Sequence, residues 1–294
     1  MLRPSASSDP GVSPLRHDPR EAAGFGWLGA GWKMNKRLSE AEAYAATLGD
    51  YLAENDVRVN LFIVPPFTAL STVRRALKDS NAHLGAQNMH WERGGPFTGE
   101  ISPLMLKDLG VGIVELGHSE RRAAFGETDF TVNRKVLAAL EHSLRPLICI
   151  GETGTEREFG VAVESVTRQV KIALKGVPER TVRSVLFAYE PVWAIGESGT
   201  PADPAYANGM HETIRRAVAE LYDGPVAADV PILYGGSVDL GNLAGFAGQP
   251  QVDGLFIGRA SWDVTSFIKC IQAFEHARQC AAMQRRDSVA QHSR

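Results

Sequence analysis

Residues 112–122 read GIVELGHSERR, a short apolar run that ends in glycine and is followed at once by ionisable side chains. Comparable apolar runs recur along the chain at intervals of very roughly thirty residues. Including this one, they cover residues 26–30, 59–64, 83–86, 112–116, 146–150, 184–189, 231–234 and 254–257. Each run is rich enough in Val, Ile, Leu or Phe to be buried on both faces, as parallel strands covered by helices are. The runs therefore predict eight parallel strands.

Helix signals lie between these runs. Ser39 and Glu42 have the spacing of a capping box ahead of an amphipathic stretch. Ser102 and Asp203 are each followed by proline, a residue that suits the first turn of a helix. Strand and helix signals therefore alternate, which is the pattern of βα units.

The length of 294 residues allows two ordinary domains or one large α/β barrel. Eight βα units in about 250 residues is the size of a (β/α)₈ barrel, whereas a doubly wound open sheet usually has fewer strands in one domain. No linker interrupts the series. We therefore predict a single (β/α)₈ barrel over residues 25–280, with a disordered proline-rich tail over 1–24 and a polar, aperiodic tail over 281–294.

The composition excludes several classes of protein. With 31 Lys and Arg against 34 Asp and Glu, the formal net charge is -3, so a basic nucleic-acid surface is not expected. Hydrophobic residues make up 44% of the chain, enough for a large core. The three cysteines form no CxxC pair, which favours reduced thiols and no structural zinc. With neither a signal peptide nor a membrane span apparent, the sequence predicts a cytoplasmic location.

Two motif matches do not fit their structural context. Gly24–Gly29 spells GxGxxG, but it contains the first predicted strand instead of following one, so it is not a dinucleotide fingerprint. Gly117–Arg121 resembles a nucleophile elbow, but arginine replaces the second small residue that the strained turn requires. Neither a dinucleotide-binding enzyme nor a serine hydrolase is therefore favoured.

The residues that follow the predicted strands are the candidates for chemistry, because barrel enzymes place their sites at the C-terminal ends of the strands. Lys33, His118 and Glu190 follow the first, fourth and sixth strands, and bring a cation, an imidazole and a carboxylate to one rim. Glycine-rich turns follow the last two strands and predict a phosphate site, since glycine lets backbone N–H groups approach an anion. These turns contain Gly235, Gly236, Ser237, Gly258 and Arg259.

Over residues 26–275 the chain resembles the triosephosphate isomerase family. The matching segments are 32–35 (WKMN), 65–68 (PPFT), 85–88 (GAQN), 97–103 (FTGEISP), 116–122 (LGHSERR), 149–153 (CIGET), 188–196 (AYEPVWAIG) and 234–238 (YGGSV). The resemblance implies a (β/α)₈ barrel that isomerises a small phosphorylated sugar with neither metal nor organic cofactor.

The resemblance also implies roles for particular residues. Glu190 would be the base that moves a proton between neighbouring carbons, and His118 the neutral imidazole that polarises the carbonyl. Lys33 would stabilise the developing enediolate charge, with Glu120 orienting it. Pro191–Gly199 would form a lid that excludes water.

The remaining implied roles concern the phosphate and the oligomer. Backbone N–H groups of Gly196, Ser237, Gly258 and Arg259 would bind the phosphate. Thr98 lies in the loop that reaches a neighbouring subunit in the family, which implies a homodimer. No nucleic-acid or membrane partner is implied.

The sequence departs from the family pattern at three places. Gly31 replaces an asparagine two residues before the catalytic lysine, Arg259 replaces the second glycine after the last strand, and residues 197–200 read ESGT in the lid. Since the three ionisable catalytic residues remain, these changes favour a different substrate over loss of catalysis. The missing amide at Gly31 predicts room for an extra hydroxymethyl group, and a Gly31→Asn change is expected to shift preference toward the triose.

Within the family, the sequence resembles the paralogues that act on erythrulose phosphates in erythritol breakdown. The shared segments are 32–36 (WKMNK), 87–91 (QNMHW), 102–108 (SPLMLKD) and 256–259 (FIGR). The resemblance implies interconversion of L-erythrulose 1-phosphate and D-erythrulose 4-phosphate. Two alternatives stay open at this point: isomerisation of the triose phosphates, and a non-catalytic barrel that binds a phosphorylated sugar.

Overall fold

Eight parallel strands close into a barrel in chain order, and β1 pairs with both β2 and β8. The structure is a computed structural model that describes residues 25–196 and 199–292. The strands are β1 Trp27–Gly31, β2 Asn60–Val64, β3 His83–Ala86, β4 Ile113–Leu116, β5 Arg145–Ile150, β6 Leu186–Tyr189, β7 Ile232–Tyr234 and β8 Gly254–Ile257. The predicted (β/α)₈ barrel is confirmed, with strand ends within about two residues of the apolar runs.

Helices surround the barrel. They are α1 Leu38–Glu54, α2 Leu70–Ala76, α3 Pro103–Asp108, α4 Ser119–Phe125, α5 Asp129–Glu141, α6 Gly154–Glu158, α7 Ala162–Ala173, α8 Glu179–Val182, α9 Pro204–Leu221, α10 Gly224–Asp229, α11 Leu243–Ala247 and α12 Val264–His292. Short 3₁₀ turns occupy Phe67–Ala69, Val192–Ala194 and Arg259–Ser261. Among the described residues, no helix has both the length and the apolar character that a bilayer crossing requires.

Two of the three predicted helix starts are confirmed. The Ser102 hydroxyl accepts a hydrogen bond from the Met105 N–H at 3.3 Å, and Asp203 caps α9 in the same way. The expected capping box at Ser39 is wrong, because α1 begins at Leu38 and the Glu40 carboxylate accepts from the Arg37 N–H at 2.7 Å. Glu40, at the third helical position, reaches back to the cap as capping boxes require.

The core has two layers, as the alternation of side chains along each strand demands. One layer fills the barrel and the other lies between the strands and the helices. In β5, Leu147 and Cys149 belong to the inner layer, whereas Ile148 and Ile150 belong to the outer one. The inner layer consists of Trp27, Phe62, Val64, Ile113, Leu147, Cys149, Leu186, Ala188, Leu233 and Phe256. Among the described residues, side chains therefore fill the barrel interior, as in other barrels whose sites lie at the C-terminal ends of the strands.

The C-terminal end differs from the prediction. The stretch from Ala281, expected to be an aperiodic tail, continues α12 as far as His292. Packing ends near Ala281, which is 7% exposed, and good helix formers such as Ala282, Met283 and Gln284 follow it. Intrinsic propensity prolongs a helix that the barrel has already nucleated, without an apolar stripe. The predicted tail over residues 1–24 lies outside the described residues.

Candidate active site

A cavity of about 530 Å³ opens at the C-terminal end of the barrel. All of the predicted site residues except Thr98 line it, although they come from five different strand ends. They are Gly31, Lys33, His118, Glu120, Glu190, Gly196, Gly235, Gly236, Ser237, Gly258 and Arg259. The structure therefore brings the predicted catalytic and phosphate-binding groups into one site. Among the described residues, no group of three His, Cys, Asp or Glu side chains is placed to hold a metal ion.

Glu190 directly follows β6 and is held in the cavity wall by the hydrogen bond from its N–H to the Ile150 carbonyl at 2.7 Å. Its side chain is 4% exposed, and its Oε2 has no hydrogen-bond partner among the described residues. Burial raises the pKa of Glu190, and the charges of His118 and Lys33 offset part of that rise. A buried carboxyl with an unsatisfied oxygen and a raised pKa is suited to accept a proton.

Gly235 makes room for this carboxyl. A Cβ atom at Gly235 would stand 2.7 Å from Oε1 of Glu190, closer than side-chain atoms approach one another. The N–H of Gly235 donates to the Tyr189 carbonyl at 2.9 Å. The expected role of Gly235 in binding phosphate is therefore wrong for its N–H group. Its lack of a side chain serves the packing of Glu190 instead.

His118 follows β4 and caps α4. Its Nδ1 accepts a hydrogen bond from the Glu120 N–H at 3.2 Å, so in the neutral ring the proton is on Nε2. Nε2 lies 3.6 Å from Oε2 of Glu190, which is too long for a hydrogen bond. An N–H donor and an unpaired carboxylate oxygen thus lie side by side in the cavity wall, where both can contact the same reacting group.

Lys33 follows β1 in a left-handed conformation, with φ of 52°, which is uncommon for a residue with a side chain. The Gln87 amide donates to the Lys33 carbonyl at 2.7 Å and fixes this turn. The Lys33 ammonium donates to Oε1 of Glu120 at 2.7 Å. Burial alone would raise the pKa of Glu120, but this hydrogen bond from Lys33 holds that pKa below its usual value. This contact is the one expected if Glu120 orients the cation, the role that the resemblance implies.

The predicted phosphate site has N–H groups that are free to bind an anion. Among the described residues, no carbonyl or side chain accepts from the N–H groups of Gly236 and Gly258. Ser237 differs, because both its N–H and its hydroxyl donate to the Ala194 carbonyl, at 3.2 and 2.8 Å. Arg259 lines the same part of the cavity with an exposed side chain. Ser237 can reach a phosphate only after it releases Ala194.

The base of the predicted lid is anchored to the barrel. The Trp193 indole donates to the buried Glu152 carboxylate at 2.8 Å, and the Tyr206 hydroxyl donates to the same oxygen at 2.9 Å. Gly196 has φ of 91°, a left-handed conformation that glycine adopts without strain. Residues 197 and 198 of the predicted lid lie outside the described residues.

The space expected beside Gly31 is filled. A Cβ atom at Gly31 would stand 2.9 Å from the Phe256 ring, which is 4% exposed and stacks on Phe62 with ring centroids 5.5 Å apart. The expectation that the missing side chain at Gly31 leaves room for a hydroxymethyl group is therefore wrong, because the Phe256 ring occupies that space. Glycine at this position accommodates Phe256 from β8, and the ring closes that side of the cavity.

Glu115 is a cavity residue that the sequence analysis missed. It lies in β4, is 7% exposed and lines the same cavity. Burial raises the pKa of Glu115 to about 7, and the nearby Glu190 carboxylate contributes to the rise. The available signal was an acidic residue in the middle of an apolar strand, two positions from the inward-facing Ile113.

Thr98 lies away from the cavity. It is exposed in the loop between β3 and α3, beside Phe97, which is 39% exposed and contacts the His90 ring with centroids 4.4 Å apart. The described chain therefore leaves this loop facing outward, with an aromatic side chain near its tip.

Comparisons with known proteins agree with this geometry. The family model described as triosephosphate isomerase matches residues 27–274. The chain belongs to the triosephosphate isomerase family. The L-erythrulose-1-phosphate isomerase of Rhizobium etli is 53% identical over 243 residues, which cover 82% of this chain and 90% of that protein.

Proteins of the same name from Mesorhizobium japonicum and Brucella abortus are each 49% identical over 243 residues. These matches cover 82% of this chain and 94% and 93% of the two proteins. This member of the triosephosphate isomerase family is therefore an isomerase of phosphorylated sugars.

Proposed function

We propose that the protein interconverts L-erythrulose 1-phosphate and D-erythrulose 4-phosphate. The observation that carries this proposal is the pair formed by Glu190 and His118, an unpaired buried carboxyl 3.6 Å from an imidazole Nε2 in a cavity with a phosphate-binding end. The four-carbon substrate is supported by the names of the relatives at 48–53% identity.

In this mechanism Glu190 takes the proton from C3 of L-erythrulose 1-phosphate, and the electron pair of that C–H bond forms the C2–C3 double bond of an enediolate. The Nε2–H of His118 stabilises the oxygen at C2 and passes protons between the two enediolate oxygens. Protonated Glu190 then returns a proton to C2, and the carbonyl group forms at C3. The product is D-erythrulose 4-phosphate, and no electrons leave the substrate, so the chemistry needs neither metal nor cofactor.

The phosphate would bind where the strands β7 and β8 end. The free N–H groups of Gly236 and Gly258 supply donors, and Arg259 and Lys33 supply positive charge. We propose that Pro191–Gly199 closes over the substrate. Because Ser237 donates twice to the Ala194 carbonyl, closure would exchange these bonds for bonds to the phosphate.

We further propose that the protein is a cytoplasmic homodimer that acts in erythritol catabolism. Support for the dimer comes from the loop that carries Thr98, which exposes Phe97 beside the stacked rings of His90 and Trp91. An outward-facing aromatic cluster of this kind is common in protein interfaces. Sedimentation of the purified protein would measure the oligomeric state.

Proton NMR in deuterium oxide tests the proposed reaction. We expect L-erythrulose 1-phosphate to yield D-erythrulose 4-phosphate with deuterium at C3 of the product, which is C2 of the substrate and the carbon that receives the proton from Glu190. Rapid turnover of dihydroxyacetone phosphate with a slow reaction of the tetrulose phosphate would instead identify a triosephosphate isomerase. Binding of both compounds without isotope exchange would identify a non-catalytic phosphosugar-binding protein.

A further inference from the structure

Glu115 occupies the inner end of the cavity. It lies three residues before His118 on β4, and its alternation with Ile113 turns its side chain into the barrel. The glycine turns and Arg259, which would hold phosphate, lie beyond the ends of the strands. The cavity thus runs from a cationic, N–H-rich mouth past Glu190 to a buried carboxyl.

Within the part of the chain that the structure describes, this carboxyl has no partner strong enough to explain its burial. Among the described residues, its hydrogen-bond contact is the thiol of Cys149, whose Sγ lies 3.8 Å from Oε1. A thiol is a weak donor, and the surrounding inner layer is apolar. Because a buried carboxyl without strong partners destabilises a fold, stability alone does not account for glutamate at this position.

The proposed substrate supplies the missing partner. With the phosphate at the mouth and C3 beside Glu190, the substituent on C3 that extends away from the phosphate points toward the inner end of the cavity. In a tetrulose phosphate that substituent is a hydroxymethyl group, whereas dihydroxyacetone phosphate has only hydrogen there. Phe256 closes the side of the cavity at Gly31, so the hydroxymethyl group is directed to Glu115.

We propose that Glu115 hydrogen-bonds the terminal hydroxyl of the four-carbon substrate and selects it over the three-carbon one. This inference rests on the proposed function. The carboxyl can accept from the hydroxyl when ionised and can donate to it when protonated. A buried polar group that pairs only with the larger substrate is left unpaired with the smaller one, which favours the substrate that carries the hydroxyl.

The test compares kcat/KM for L-erythrulose 1-phosphate with kcat/KM for dihydroxyacetone phosphate in the full-length protein and its variants. In Glu115→Leu we expect the tetrulose value to fall about 10- to 100-fold, the effect of one hydrogen bond to a charged or strongly polar group. The triose value should stay within about threefold, because that substrate does not reach Glu115. Glu115→Gln keeps the shape and a hydrogen-bonding amide, so it should retain most of the wild-type ratio.

The other possible kinetic results distinguish failure of this inference from failure of the proposed function. An unchanged ratio in Glu115→Leu, with the wild type preferring the tetrulose phosphate, overturns the role of Glu115 and leaves the proposed function intact. An equal fall in kcat/KM with both substrates would show that Glu115 does not select between them and would assign it to catalysis. A wild type that prefers the triose phosphate overturns the proposed function and this inference together. Glu115→Met, of similar length, replaces Glu115→Leu if the leucine variant does not fold.

Discussion

Two sets of buried carboxyl groups in this protein differ in the number of cationic partners that they have. Glu115 and Glu190, the cavity carboxyls, line the cavity with few partners: Glu115 contacts the Cys149 thiol, and Oε2 of Glu190 has no hydrogen-bond partner among the described residues. On the flank of the barrel, Oε1 of Glu127 accepts from Lys135 at 2.5 Å and from Arg121 at 2.6 Å, although its Oε2, like that of Glu190, has no hydrogen-bond partner among the described residues. We call Glu127, Lys135 and Arg121 the flank cluster.

The pKa values follow the difference in partners. Burial would raise the pKa of Glu127, but the hydrogen bonds from Lys135 and Arg121 hold it below its usual value. Burial raises the pKa of both cavity carboxyls, and their surroundings compensate only in part. Burial alone therefore does not mark a functional acid. A buried acid that faces a cavity and has few partners is a candidate functional group, because a bound substrate can supply the missing hydrogen-bond partner.

The largest expected effect is on the cavity side. Glu190→Gln removes the base, and we expect kcat to fall by about a thousandfold with little change in thermal stability. The matched variant Glu127→Gln, in the flank cluster, should leave kcat within about threefold. Steady-state kinetics with L-erythrulose 1-phosphate checks both. A Glu190→Gln enzyme with wild-type kcat would show that this carboxyl is not the base.

On the flank, Lys135→Met should affect stability instead of activity. The substitution leaves Glu127 buried with Arg121 as its remaining cation, and we expect the free energy of unfolding to fall by about 3 kcal/mol. Urea denaturation at a fixed protein concentration measures the change. Unaltered stability would mean that the flank cluster is no better satisfied than the cavity carboxyls.

The pH dependence of stability separates the two regions further. Glu115 titrates near its ordinary value of 4.5 when unfolded and near 7 when folded, so the folded state binds more protons between these values. Stability contributed through Glu115 is therefore present at low pH and lost as the pH rises through about 7. The difference in free energy of unfolding between Glu115→Gln and the wild type should shift by about 2 kcal/mol in favour of the variant from pH 5 to pH 8. An equal difference at the two pH values would contradict the raised pKa.

The smallest expected effect concerns the cavity wall. Gly31→Asn places a side chain against the Phe256 ring, and overpacking should lower the free energy of unfolding by about 1 kcal/mol. In the double variant Gly31→Asn/Phe256→Leu, the smaller side chain should restore stability. Thermal denaturation compares the three proteins. If the single variant is as stable as wild type, the ring does not set the room available at Gly31.

Local signals in the sequence predicted much of this molecule. The strands were predictable because strands buried on both faces read as short apolar runs, and the rim residues because they follow those runs directly. Glu115 was missed because a single acidic residue inside an apolar run does not change the assignment of that run as a strand. The contact between Gly31 and Phe256 was missed because β1 and β8 meet only when the barrel closes. The last turns of α12 were missed because propensity, not periodicity, extends them.

A four-carbon substrate would fill the space between Glu190 and Glu115. The most direct measurement is the ratio of kcat/KM for L-erythrulose 1-phosphate to kcat/KM for dihydroxyacetone phosphate, determined on one preparation of the wild-type protein. We predict a ratio of at least about 10, since only the tetrulose phosphate has a terminal hydroxyl that pairs with the Glu115 carboxyl. A ratio of one or less would contradict a preference for the four-carbon substrate.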